Sequence, residues 1–188
     1  MQKTKFSVRD MATVGVLAAL VFVTTYFLKI GPIATPAGPT MIKVGNVVCI
    51  LGALLFGGVR GGLAAGIGSM IYDLTDPAFV SSAPFTFVFF FLMAFICGVI
   101  SHAHGRDGKD AKWNAVGAVA GAASYLVLHL GKTLITLMLS GSGLAAALTA
   151  SGVKFITSGV NAVIAVVVSL LLAPVFRKAL VGAHIIES

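Results

Sequence analysis

Residues 113–139 read WNAVGAVAGAASYLVLHLGKTLITLML. These 27 residues carry one formal charge, Lys132, and one histidine, His129. About 20 predominantly apolar residues in helical conformation cross the hydrocarbon core of a bilayer, so the stretch is read as a membrane-spanning helix. An ammonium inside such a helix is costly. It marks a ligand or ion site, or a side chain snorkelling to the interface. A second lysine, Lys154, stands in the next apolar run, 150–175, and poses the same question.

Outward from that stretch, the whole chain has the same character. It has 188 residues, 58% hydrophobic and 10% charged, with a mean hydropathy of +1.03. Soluble domains have about 45–50% apolar and about 25% charged residues. The composition therefore gives an all-α integral membrane protein. The length suits a single domain over 1–188 holding six transmembrane helices, with no room for a separate soluble domain. The net charge of +7 does not point to nucleic acid, because the cations cluster at the expected membrane boundaries. Cys49 and Cys97 sit in apolar runs and read as small buried hydrophobes.

The six helices are expected at about 7–29, 44–57, 61–73, 85–101, 113–139 and 150–175. Ser7-Val8-Arg9-Asp10 has the spacing of an N-terminal cap. The basic run before it allows a cleavable leader, but the apolar stretch is long and reads as a retained first span. Residues 31–40, GPIATPAGPT, hold three prolines and two glycines and form a loop. The glycines at 57, 58, 61 and 62 supply a turn between two short helices. Residues 74–84, with Asp76, Pro77 and Pro84, form another loop; a charged loop runs from His102 to Lys112; and Ser140-Gly141-Ser142-Gly143 separates the last two helices.

Orientation follows from the basic residues, which favour the cytoplasmic side. One set of helix ends holds Lys3, Lys5, Arg9, Arg60, Arg106, Lys109, Lys112, Arg177 and Lys178, while the opposite loops hold only Lys29 and Lys43. Both termini are thus expected in the cytoplasm, with loops 31–42, 74–84 and 140–149 outside. Small residues recur at four-residue spacing: Gly15 and Ala19; Gly58, Gly62 and Gly66; Ala94 and Gly98; Gly117 and Gly121. Such pairs let helix backbones approach closely in lipid, either inside the bundle or against a partner.

At 100° per residue, Tyr125, His129, Lys132, Thr133 and Thr136 share one helix face, and Ser151, Lys154, Ser158 and Asn161 share another. Both faces lie in the outer halves of their helices and are expected to bound one polar cavity opening outward. Lys132, with His129 and Asn161 deeper still, is the expected ligand contact, and Lys154 the shallower cation at the entrance. Asp73 and Asp76 are read as solvated loop acids or as partners for the lysines or a ligand. Tyr72, Phe79 and Phe85 are near enough in sequence to stack on a flat ring. His102-x-His104 lacks a third ligand at a persuasive spacing, so no metal site is expected. No phosphate-binding loop, His-Glu-x-x-His or Gly-x-Ser-x-Gly motif is present; neither ATP hydrolysis nor other enzymatic chemistry by this chain is expected.

Several segments in order resemble the substrate-binding S components of energy-coupling factor (ECF) vitamin transporters. They are Ser7–Asp10, Gly15–Val23, Val44-Gly45-Asn46, the glycine-rich 54–68 and Ala83-Pro84-Phe85-Thr86-Phe87. The likeness covers about residues 5–180 and is similar to the branch that includes hydroxymethylpyrimidine and pyridoxine carriers. The chain departs from that branch at Asn46, where an acid is common, and at Phe90, where a basic residue is common. The resemblance implies a specificity subunit in a prokaryotic cell membrane that binds vitamin at its outer face. It associates with a transmembrane coupling subunit and two ATPases, and topples to release substrate inside. ATP would be used by those partners, and no cofactor is expected on this chain. It further implies that Gly15 and Ala19 dock the coupling subunit. With the polar faces, it points to Tyr125, His129, Lys132, Asn161, Lys154, Phe85 and Asn46 as substrate contacts. The expected substrate is a small hydroxylated heteroaromatic, hydroxymethylpyrimidine or pyridoxine. Pantothenate or riboflavin, and a stand-alone proton-coupled carrier in which His129 titrates, are the alternatives; a lipid-acting membrane enzyme ranks last.

Overall fold

A computed structural model describes residues 7–186; the basic residues Lys3 and Lys5 lie outside them. In chain order the elements are α1 (Val8–Phe27), β1 (Lys29–Ile33), β2 (Thr40–Lys43), α2 (Gly45–Phe56), α3 (Gly58–Thr75), α4 (Ala83–His102), α5 (Ala111–Leu139) and α6 (Leu144–Gly182). Four of these helices, α1, α4, α5 and α6, are long and apolar enough to cross a membrane. The chain is a multi-pass membrane protein built of helices.

Ser7 caps α1: its hydroxyl accepts from the Asp10 N–H, and the Asp10 carboxylate accepts from the Ser7 N–H at 2.9 Å. The helix stops at Phe27, two residues short of the expected Lys29. The Leu28 carbonyl instead accepts from the Val44 N–H at 3.0 Å. The proline-rich segment is therefore not a plain loop. It is a two-stranded antiparallel ribbon in which Lys29 pairs with Lys43, and Ile30 with Ile42. The prolines fall in β1 and the connecting turn, where no ladder donor is needed.

The turn between α2 and α3 is one residue, Gly57, with φ 85°, a conformation that suits glycine. α3 accordingly begins at Gly58 rather than 61 and runs on to Thr75. α6 exceeds its expected 150–175 at both ends, so the connection before it shrinks from 140–149 to Ser140–Gly143. Leu144-Ala-Ala-Ala-Leu is strongly helix-forming. Pro174 sits inside the helix without ending it, since a proline removes only one intrahelical donor. At 39 residues α6 is roughly 58 Å long, about twice a bilayer core.

α2 is buried almost along its whole length and packs against α1, α3, α4 and α6. Around it the neighbours run α1–α3–α4–α5–α6. Ile50, Leu54, Phe90, Met93 and Cys97 form the centre of the core. Glycines set the helix separations. A Cβ on Gly58 would stand 2.7 Å from the Phe95 carbonyl oxygen, on Gly66 2.9 Å from that of Phe87, and on Gly117 2.6 Å from that of Cys97. Here α3 and α5 meet α4 backbone to backbone. Gly15 differs: among the described residues nothing lies within 4 Å of its Cβ position, and Gly15 and Ala19 are both exposed on α1.

Candidate functional site

The two polar helix faces close on one cavity of about 250 Å³. α5 contributes Tyr125, His129, Lys132, Thr133 and Thr136, and α6 contributes Lys154, Ser158 and Asn161. The 3.6-residue helical period places each set on one stripe, and the packing of α5 on α6 brings the stripes together. α4 adds Phe85, Thr86, Phe89 and Phe90, and the ribbon adds Gly38 to Met41 and Lys43. Of the expected contacts, Phe85, Tyr125, His129, Lys132, Lys154 and Asn161 thus share one space. Asn46 does not line it. Asn46 is buried in α2, where its Oδ1 has no hydrogen-bond partner among the described residues.

The aromatic wall is continuous. Phe90 and Tyr125 have ring centroids 4.7 Å apart, and Tyr125 stacks on His129 at 5.4 Å with planes 11° apart. The Lys132 Nζ lies 4.5 Å from the Phe85 centroid and donates to Ser82 Oγ at 3.1 Å. Lys132 is half-buried, whereas Lys154 is only 8% exposed. This reverses the expected order of depth. Helix position alone makes Lys154 shallow, but the ribbon folds over α6, and a Cβ on Gly38 would stand 3.4 Å from the Lys154 Nζ.

Asn161 fixes that ribbon. Its Oδ1 accepts from the Lys43 N–H at 2.9 Å, and its Nδ2 donates to the Met41 carbonyl at 2.8 Å. The hydroxyls of Thr40 and Thr157 meet at 2.9 Å beside it. Both polar atoms of the Asn161 amide are therefore engaged with β2, while the residue also lines the cavity.

Two charged groups go beyond the sequence reading. Lys43, expected only as a loop cation, is 6% exposed, and its Nζ lies 4.4 Å from the Phe90 centroid and 5.9 Å from that of Tyr72. Burial weakens its hold on its proton, and the carboxylate of Asp73 opposes that effect. No local pattern marks Lys43 as buried; only the ribbon's return over α6 turns it inward. Asp73 is 3% exposed and accepts from Thr86 Oγ1 at 2.5 Å; it is no solvated loop acid. Asp76 is instead the ion-pair partner of Lys29, at 3.2 Å, and accepts from the Tyr72 hydroxyl at 2.7 Å. Burial pushes the Asp76 carboxyl up, but the Tyr72 hydroxyl, the Ala78 N–H and Lys29 together hold it below the usual range.

The far helix ends gather a second, open cavity of about 440 Å³ lined by Arg9, Arg60, His102, Lys109 and Arg177. Arg60 pairs with Asp10 at 2.7 Å, and Arg177 donates to the Leu54 carbonyl at 3.0 Å. His102 Nδ1 lies 3.1 Å from the Gly98 carbonyl oxygen and 3.0 Å from Ser101 Oγ.

A family model described as "ECF-type riboflavin transporter, S component" matches residues 5–178. No curated protein matches the chain.

Proposed function

Since the chain belongs to the family of ECF-type riboflavin transporter S components, we propose that its polar cavity holds a single-ring heteroaromatic vitamin or precursor, of the size of hydroxymethylpyrimidine or pyridoxine. The chain is a vitamin-specific, substrate-binding subunit of an ECF transporter and not an enzyme. S components work with a membrane coupling subunit and two ATPases, and ATP hydrolysis falls to those ATPases.

The observation that carries the substrate reading is the cavity itself. It measures about 250 Å³, just below the roughly 300–1,000 Å³ usual for pockets of drug-sized ligands. Its floor is the Phe90–Tyr125–His129 stack. A flat ring fits against that stack, with its polar substituents toward His129, Lys132 and Lys154. The His129 imidazole has no hydrogen-bond partner among the described residues, which leaves it available to a ring nitrogen or hydroxyl. The second reading is riboflavin, which the family's description favours; its three-ring system needs the ribbon to move outward. All six helices span the membrane in this proposal, and the arginine-rich end is cytoplasmic. The exposed Gly15 and Ala19 stripe faces the coupling subunit. Arrangement of the bundle with its cavity outward suits a prokaryotic cell membrane.

Native mass spectrometry of the purified protein tests the substrate. A co-purified single-ring heteroaromatic of vitamin size is expected. Riboflavin in its place supports the second reading. Proton-driven uptake by the chain alone in vesicles would argue for a self-sufficient carrier.

A further inference from the structure

Three ammonium groups, Lys43, Lys132 and Lys154, line the same small cavity. One carboxylate, Asp73, faces them there. The remaining titratable lining groups are His129 and Tyr125. Lys29 does not enter the balance, because Asp76 neutralises it outside the lining.

Lys43 and Lys154 are each more than nine-tenths buried. Neither Nζ has a hydrogen-bond or ion-pair partner among the described residues. Lys132 has only the neutral Ser82 hydroxyl and the Phe85 ring. Asp73 gives one of its oxygens to Thr86 and can balance one of the three cations at most. The lining thus sets three lysines against one carboxylate, an excess of two positive charges when all three carry their protons. Buried charges without partners are strongly disfavoured. A site that keeps them does so when a ligand supplies the counter-charge, and ionisable groups within membrane bundles mark such sites.

We propose that the substrate carries an anionic group, a carboxylate or a phosphate ester, seated between Lys43, Lys132 and Lys154. The inference rests on the reading of this cavity as the vitamin site and narrows its substrate class. The aromatic wall takes the ring, and the lysine side takes the anion. Three separate ammonium groups suit a group with several acceptor oxygens better than a lone hydroxyl, because each can donate a charge-assisted hydrogen bond. The resting cavity tolerates its charge through the Phe90 and Phe85 faces over which Lys43 and Lys132 lie.

Calorimetric titration of the purified full chain in detergent tests this with matched ligands: pyridoxine against 4-pyridoxic acid and pyridoxine 5′-phosphate, and riboflavin against riboflavin 5′-phosphate. In whichever ring series binds, the anionic member is expected to bind about tenfold tighter or more. The pyridine arms distinguish carboxylate from phosphate. Lys154→Gln is expected to reduce the preference to less than about threefold, and Lys154→Arg, which keeps the charge, to retain it. The matched pairs in the unmodified chain stand even where a variant fails to fold. Equal or tighter binding of the neutral members overturns the inference and leaves the vitamin site standing. An anion preference that survives Lys154→Gln and Lys43→Gln overturns the lysine assignment. If none of the ligands binds, the inference falls together with the reading of the cavity as the site.

Discussion

Asn161 both lines the cavity and holds its wall in place. Its amide joins the Lys43 N–H and the Met41 carbonyl, two backbone groups buried away from water. Truncation would leave both unsatisfied, at a cost of about 1–3 kcal/mol each. Asn161→Ala is therefore expected to lower the thermal midpoint in detergent and to weaken vitamin binding together, because β2 and Lys43 lose their position. Asn161→Asp keeps the acceptor for Lys43 but not the donor for Met41, and is expected to fall between. A variant with weakened binding and an unchanged midpoint would instead make Asn161 a direct ligand contact. Lys132 and Lys154 carry a related lesson. Their positions along a helix suggest that Lys132 is the deeper, yet the contacts of a neighbouring strand make Lys154 the more enclosed.

Among the elements, the small-residue stripes divide by what faces them. Gly98 on α4 meets the start of α3, where a Cβ would stand 2.5 Å from the Gly58 Cα. Gly98→Val must push α3 away from α4, and overpacking of this kind costs about 1–3 kcal/mol. Its expected signature is a lower thermal midpoint with loss of both binding and uptake. Gly15 on α1 meets nothing, so Gly15→Leu is expected to leave the midpoint and vitamin affinity unchanged. Uptake in cells carrying the coupling subunit and ATPases is expected to fall sharply, because the added side chain blocks close helix approach. Preserved uptake would remove this face from the docking surface. The ribbon between α1 and α2 is the element that sequence reading treated as unstructured. Its prolines exclude a helix, but strand pairing depends on where Lys43 and Ile42 return along the chain, which no local signal encodes.

Across the whole molecule, charge separates into a paired arginine end and an unpaired lysine cavity. Arg9, Arg60 and Arg177 find carbonyls or a carboxylate, while Lys43 and Lys154 do not find such partners among the described residues. The arginine end is expected in the cytoplasm. Both native cysteines are buried, so single cysteines at exposed positions can report sidedness. In intact cells an impermeant maleimide is expected to label Ala34→Cys in the ribbon, and to label Lys112→Cys at the start of α5 only after lysis. The reverse pattern would invert the bundle. The sequence by itself determined the membrane environment, the helices, the Ser7 cap and the two polar stripes. Each follows from local composition or from the helical period, and these operate over a few neighbouring residues. Tertiary structure alone decided that the proline-rich segment becomes a ribbon, that Lys43 joins the cavity and that Asn161 holds the ribbon in place. It also left Asn46 outside the cavity. The ribbon pairs residues up to 14 positions apart, and its seating depends on contacts more than a hundred positions apart, such as Lys43 with Asn161, which only the packed bundle brings within hydrogen-bonding distance.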